Sequence, residues 1–142
     1  MTARFLLDTC IVSSPISKAP DPGIVRRLER HGHECALPAP VWHELVFGCR
    51  RLPAGRRRRA LDAYLHDVVQ PSFPILAYDE SAAAWHGRER ARLEGLGKPA
   101  PFVDGQIAAV ACVQGLVLAT VNARDFARFK DLTVEDWSNR RG

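Results

Sequence analysis

No apolar run in this chain approaches the roughly 20 residues needed to cross a bilayer, which excludes a transmembrane helix. Cysteine is sparse: Cys10, Cys35, Cys49 and Cys112 are scattered, with no C-x-x-C pair. That excludes a disulfide scaffold and a four-cysteine zinc site, and fits a reducing, cytoplasmic setting. The N-terminal apolar stretch Phe5-Leu6-Leu7 is cut by Asp8, so no signal-peptide core is expected. Internal repeats and linkers are absent, which predicts one domain over residues 1–142. Ser13 and Ser14 belong to no G-x-S-x-G elbow, and no glycine-rich phosphate loop occurs, so a serine hydrolase and a P-loop enzyme are excluded.

What is present is an ordinary globular composition, 46% apolar and 25% charged over 142 residues, enough to bury a real core. The net charge of +4 is compatible with a polyanionic partner. Arginines concentrate in a run, Arg56 to Arg59, and in the alternation Arg88, Arg90, Arg92. These are either solvated helix faces or contacts to phosphates or an acidic partner.

Segment types alternate, which predicts an α/β fold. Short strands are expected at 5–8, 35–37, 74–78, 116–121 and 132–134. Helices are expected at 24–30, 41–51, 54–69, 80–96 and 102–114, with a helical turn at 124–129. Asp79 reads as an N-cap, and Gly97 and Gly115 as C-terminal stops. In the helix over 54–69, Leu61, Tyr64, Leu65 and Val68 form the apolar stripe, while four arginines sit in its first turn against the helix dipole. Five strands joined by helical crossovers imply a parallel sheet with helices on both faces.

Ligands of open parallel sheets bind outside the carboxyl ends of the strands. Asp8 closes the first strand, and Asn122 and Asp125 follow the fourth, so they share one edge. Glu44 and Asp104 stand near helix starts, where acids are also favoured for structural reasons. Carboxylates gathered there repel one another and call for a cation, and all-oxygen donors suit Mg²⁺ or Mn²⁺. Such a site can hydrolyse phosphodiesters with one ion and a basic side chain, or with two ions.

Four segments resemble the PIN-domain ribonucleases, in particular the VapC-type toxins of toxin–antitoxin pairs. They are Phe5-Leu6-Leu7-Asp8-Thr9, Val41-Trp42-His43-Glu44 through Gly48, Asp104-Gly105-Gln106-Ile107-Ala108-Ala109, and Thr120-Val121-Asn122-Ala123-Arg124-Asp125-Phe126. Their order and spacing match that family over essentially the whole chain. The resemblance implies a PIN-like three-layer fold, Mg²⁺ or Mn²⁺, endonucleolytic cleavage of structured RNA such as tRNA or rRNA, a homodimer, and inhibition by a small VapB-like antitoxin. Asp8, Glu44, Asp104 and Asp125 would then form the catalytic metal site, with Glu44 either a ligand or the group orienting the attacking water. Thr9, Thr120 and Asn122 would orient those groups or position a phosphate. Arg56, Arg57, Arg58 and Arg59 would contact the RNA backbone or a partner. One departure is Cys10, where the family has Asn after the Asp-Thr pair.

Rival readings stay open. His31, His33 and Cys35 form an H-x-H-x-C cluster without a fourth ligand, better read as a loop entering a strand. A phosphatase with Asp8 as nucleophile would carry a second Asp two residues on, where Cys10 stands. A catalytically silent module would bind RNA or a partner through its arginines without metal. Trp42, Trp85 and Trp137 read as core or interface residues.

Overall fold

The computed structural model describes residues 2–139. Five short strands, β1 (Phe5–Leu7), β2 (Cys35–Pro38), β3 (Ile75–Leu76), β4 (Val117–Thr120) and β5 (Val134–Asp136), form one sheet. Their order is β3-β2-β1-β4-β5 and every pairing is parallel. Each residue of β1 and β2 is buried, the mark of parallel strands covered on both faces. The expected α/β architecture is therefore the observed one.

The helices are α1 (Thr9–Ser13), α2 (Pro22–His31), α3 (Ala39–Arg50), α4 (Arg56–Tyr64), α5 (Gln70–Ser72), α6 (Glu80–Gly95), α7 (Phe102–Gln114) and α8 (Ala123–Phe126). Their ends follow local chemistry. The Asp21 carboxylate accepts from the Gly23 and Ile24 amides at 2.8 and 3.3 Å, and Asp79 accepts from Ala82 N at 3.0 Å. Gly115 stops α7 in the left-handed region, φ 68°. Trp137 is fully buried, edge-on to Phe5 at 5.1 Å between ring centroids.

Three expectations shift. Between the first expected strand and the expected helix at 24–30, where no element is expected, α1 forms, capped by Asp8, and gives way to a 3-10 turn at Ser14–Ile16 around Pro15. The edge strand lies two residues later than its apolar residues imply, at Val134–Asp136. The helix after Ala54 begins at Arg56 and passes into a π-helical turn, Leu65–Val69, with the Gln70 amide bonded back to the Leu65 carbonyl. The extra residue in that turn rotates the rest of the helix, so Val68 is 49% exposed and Val69 is fully buried.

Helix α7 packs on β2, β4 and α6. Its buried residues are mostly small, including Gly105, Ala108, Ala109 and Ala111, which allows close approach. At Gly105 that approach is strict: a Cβ there would stand 2.2 Å from His86 Nε2 on α6. Among the described residues no helix is long and apolar enough to cross a membrane.

Candidate active site

Chain order leaves β1 toward β2 and β3 on one side, then crosses to β4 and β5 on the other. The topological switch point thus falls between β1 and β4, where open α/β sheets form ligand crevices. Leu7 is paired with Ala119, and the next residue of each strand, Asp8 and Thr120, reaches the carboxyl edge of the sheet.

Asp8 is only 9% exposed. Its Oδ1 accepts from the Thr9 amide at 2.8 Å, capping α1, and its Oδ2 accepts from the Thr120 hydroxyl at 2.8 Å. Burial pushes its carboxyl above the usual range. The two hydrogen bonds oppose that shift and the charge of Asp125 adds to it. Asp104, in the first turn of α7, is half-buried. Its carboxyl is raised by burial and then by the charges of Asp8 and Asp125, and lowered by Arg128. The fold therefore brings Asp8, Asp104 and Asp125 into one mutually repelling group; strand ends predict this for Asp8 and Asp125, while Asp104 follows a proline-rich loop and is placed by the fold.

Glu44 is exposed on α3, and its charge is not among those that act on Asp8 or Asp104. It lines a concavity of about 340 Å³ with Thr9, Ser13, Gly48, Arg51 and Arg57. On its other side a second concavity, about 380 Å³, is lined by His43, Glu44, Tyr78, Val103 and Gln106. Thr120 is fully buried, so it acts on Asp8 and cannot touch a phosphate; its oxygen also accepts from the Asn122 amide at 3.0 Å. Asn122 is exposed and precedes α8, and its carbonyl accepts from the Asp125 amide at 3.0 Å. Of the arginine run, Arg57 faces the Glu44 concavity, Arg58 is half-buried, and Arg56 and Arg59 are exposed.

In the other arginine series Arg88 is exposed, while Arg90 and Arg92 have partners within the chain. Arg92 makes two bonds to Glu89, at 2.8 and 2.7 Å, and Arg90 pairs with Glu94 and stacks on Phe102. The H-x-H-x-C cluster closes on itself: Cys35 donates its thiol to the His31 carbonyl at 3.2 Å, and His31 Nδ1 lies 3.2 Å from Glu34. Among the described residues, no three Asp, Glu, His or Cys side chains stand close enough to hold a metal ion by themselves. Two groups carry no mark in the sequence. His86 is buried with Nδ1 2.8 Å from the Tyr78 hydroxyl, and it belongs to no motif. Arg128 faces Asp104 but lies outside the Thr120–Phe126 segment.

A parallel α/β sheet with acidic side chains collected at its switch point defines an α/β protein with an anionic crevice at the carboxyl ends of its strands. The chain belongs to the PIN domain family, whose model matches residues 5–132. It is 29% identical over 136 residues to the tRNA(fMet)-specific endonuclease VapC of Shigella flexneri, covering 95% of this chain and 98% of that one. It is 31% identical over 134 residues to Ribonuclease VapC2 of Haemophilus influenzae, covering 94% and 98%. The crystal structure of FitAcB from Neisseria gonorrhoeae superimposes with a TM-score of 0.86 at 30% identity, covering 93% of this chain and 96% of that one.

Proposed function

We propose that this protein is an endoribonuclease toxin that hydrolyses phosphodiester bonds of RNA with Mg²⁺ or Mn²⁺ and is held silent by a small antitoxin. The observation that carries this is the set of three carboxylates at the switch point, two of them raised by burial and mutual repulsion, in a chain of the PIN domain family. The ribonuclease relatives support RNA as the substrate, and the tRNA(fMet)-specific one favours a structured RNA. The antitoxin assignment follows the complexes in which solved chains of this kind are found, such as DNA-bound VapBC from Salmonella typhimurium. A homodimer, and a reducing compartment in keeping with four free cysteines, complete the reading.

The donor set fits a hard cation. All candidate ligands are carboxylate oxygens, and a positive ion relieves their repulsion. That no three of them close a site unaided is compatible with Mg²⁺, which keeps several waters and binds through one or two carboxylates plus substrate phosphate. Asp8, Asp104 and Asp125 would hold it, directly or through its waters, and when bound it supplies an activated water and neutralises charge on the phosphate oxygens. Thr120 and the Thr9 amide fix the Asp8 carboxylate in one orientation. Glu44, outside that group, would orient the attacking water. Arg57 would contact the RNA backbone from the Glu44 side.

Incubation of purified antitoxin-free protein with total cellular RNA tests this. Discrete fragments formed with Mg²⁺ or Mn²⁺, lost in EDTA and lost in Asp8→Asn, are expected. Undamaged RNA with both metals would instead leave a silent binding module.

A further inference from the structure

Beside the acidic group lies a concavity of about 590 Å³ lined by Gly97, Lys98, Pro99, Arg124, Ala127 and Arg128. Three of these six residues are cations and none is an acid. Lys98 comes from the loop between α6 and α7, Arg124 from α8, and Arg128 from the segment just beyond it. Neither Lys98 nor Arg124 takes part in the acidic site.

The concavity is built and not a chance gathering of mobile side chains. Arg128 Nη1 donates to the Pro99 carbonyl at 2.7 Å, which ties one lining segment to the other. The Arg128 carbonyl accepts from Arg92 Nη2 at 3.1 Å. Arg92 is itself locked by the buried Glu89, whose Oε2 also accepts from the Lys130 amide at 2.6 Å. The backbone from 128 to 130 is thereby pinned to α6. Among the described residues, Lys98 and Arg124 have no side-chain hydrogen bond or ion pair, so their charges are available to a ligand.

Position selects the ligand. Arg128 acts on the Asp104 carboxyl from this side, so the cationic concavity abuts the acidic one. A small free anion gains the cations but meets the neighbouring acids. A phosphodiester chain satisfies both, with one phosphate on the acid-bound cation and a neighbouring one on the basic side. We infer that the Lys98–Arg124–Arg128 concavity binds a backbone phosphate of the RNA strand next to the one cleaved, so that the strand leaves the acidic group across α8. This rests on the ribonuclease reading.

The test is binding of a short single-stranded oligoribonucleotide to the full chain across a salt series, with Ca²⁺ in place of Mg²⁺, a hard cation that takes oxygen ligands but activates water poorly. Lys98→Gln/Arg124→Gln should bind about three- to tenfold more weakly, with the slope of log K against log salt flattened by about 0.7 for each phosphate no longer neutralised. Both residues are exposed, so the fold is retained. Arg26→Gln/Arg30→Gln, on α2, removes the same charge and should stay close to wild type. Equal weakening in the two pairs overturns the inference, because the effect is then net charge alone. So does displacement of the oligonucleotide by inorganic phosphate at matched ionic strength, which would make this a site for free anions. A wild-type protein that cleaves RNA while the Lys98/Arg124 pair binds normally sinks only this inference. A wild-type protein that neither binds nor cleaves RNA removes the ribonuclease reading beneath it.

Discussion

The Thr120 hydroxyl donates to Asp8 Oδ2 at 2.8 Å across neighbouring strands, and the same oxygen accepts from the Asn122 amide at 3.0 Å. One buried hydroxyl thus ties the first acid of the site to the turn that leads to α8 and Asp125. Thr120→Val keeps the volume and removes the hydroxyl. It leaves a nearly buried carboxylate oxygen without its donor, and should cost about 1–3 kcal/mol in denaturant unfolding. Cleavage should fall as well, because Asp8 loses its fixed orientation. Thr120→Ser should recover most of both. A valine variant as stable and active as wild type would show that the hydrogen bond does nothing.

Asp104 gives a prediction of opposite sign. Its carboxyl is raised by burial first, then by Asp8 and Asp125. The folded protein therefore holds this proton more tightly than the unfolded chain does. Ionised Asp104 costs stability at neutral pH, and the cost fades as pH falls through its raised folded value and is gone once pH reaches the ordinary carboxylate range. In EDTA, Asp104→Asn should melt above wild type at pH 7, with the gap closing under acid. Mg²⁺ should raise the wild-type melting point more than the variant's, since a ligand stabilises only the state that binds it. Identical pH profiles for the two proteins would rule out the electrostatic cost.

Gly105 comes directly after Asp104 and packs against His86 of α6 with no room for a side chain. A methyl group added there would lie 2.2 Å from His86 Nε2 and 2.6 Å from Cδ2. That ring is buried, bonded through Nδ1 to Tyr78 and packed on Phe102 at 4.8 Å, so it cannot swing away freely. Gly105→Ala should destabilise by about 1–3 kcal/mol through overpacking. Gly105→Ala/His86→Ala should cost less than the sum of its single variants, since removing the ring makes room for the methyl. Additive losses would mean that the glycine is needed for some reason other than His86.

Much of this geometry is legible in the sequence because parallel sheets place residues by rule. Asp8 and Asp125 each come after a buried apolar strand, so their shared edge can be read from chain order alone. Asp104 needs the fold, since a proline-rich loop and not a strand precedes it. Helix α1 escapes because five residues are too few for a 3.6-residue period to declare itself. His86 and the Lys98–Arg124–Arg128 concavity escape for another reason. Their surroundings are assembled from segments distant in sequence, and no local pattern encodes an encounter of that kind.

The π-helical turn is the plainest case of a local pattern overruled by packing. An uninterrupted helix carries the stripe Leu61, Tyr64, Leu65 on to Val68. The inserted residue at Leu65–Val69 carries it to Val69, which is fully buried, while Val68 is 49% exposed. The two valines are adjacent and chemically identical, so they form a controlled pair. Val69→Ala should cost about 1–3 kcal/mol, since buried methyl groups are removed and a void remains. Val68→Ala should stay within about 0.5 kcal/mol of wild type. The reverse ranking in urea unfolding would restore the regular helix and refute the π turn.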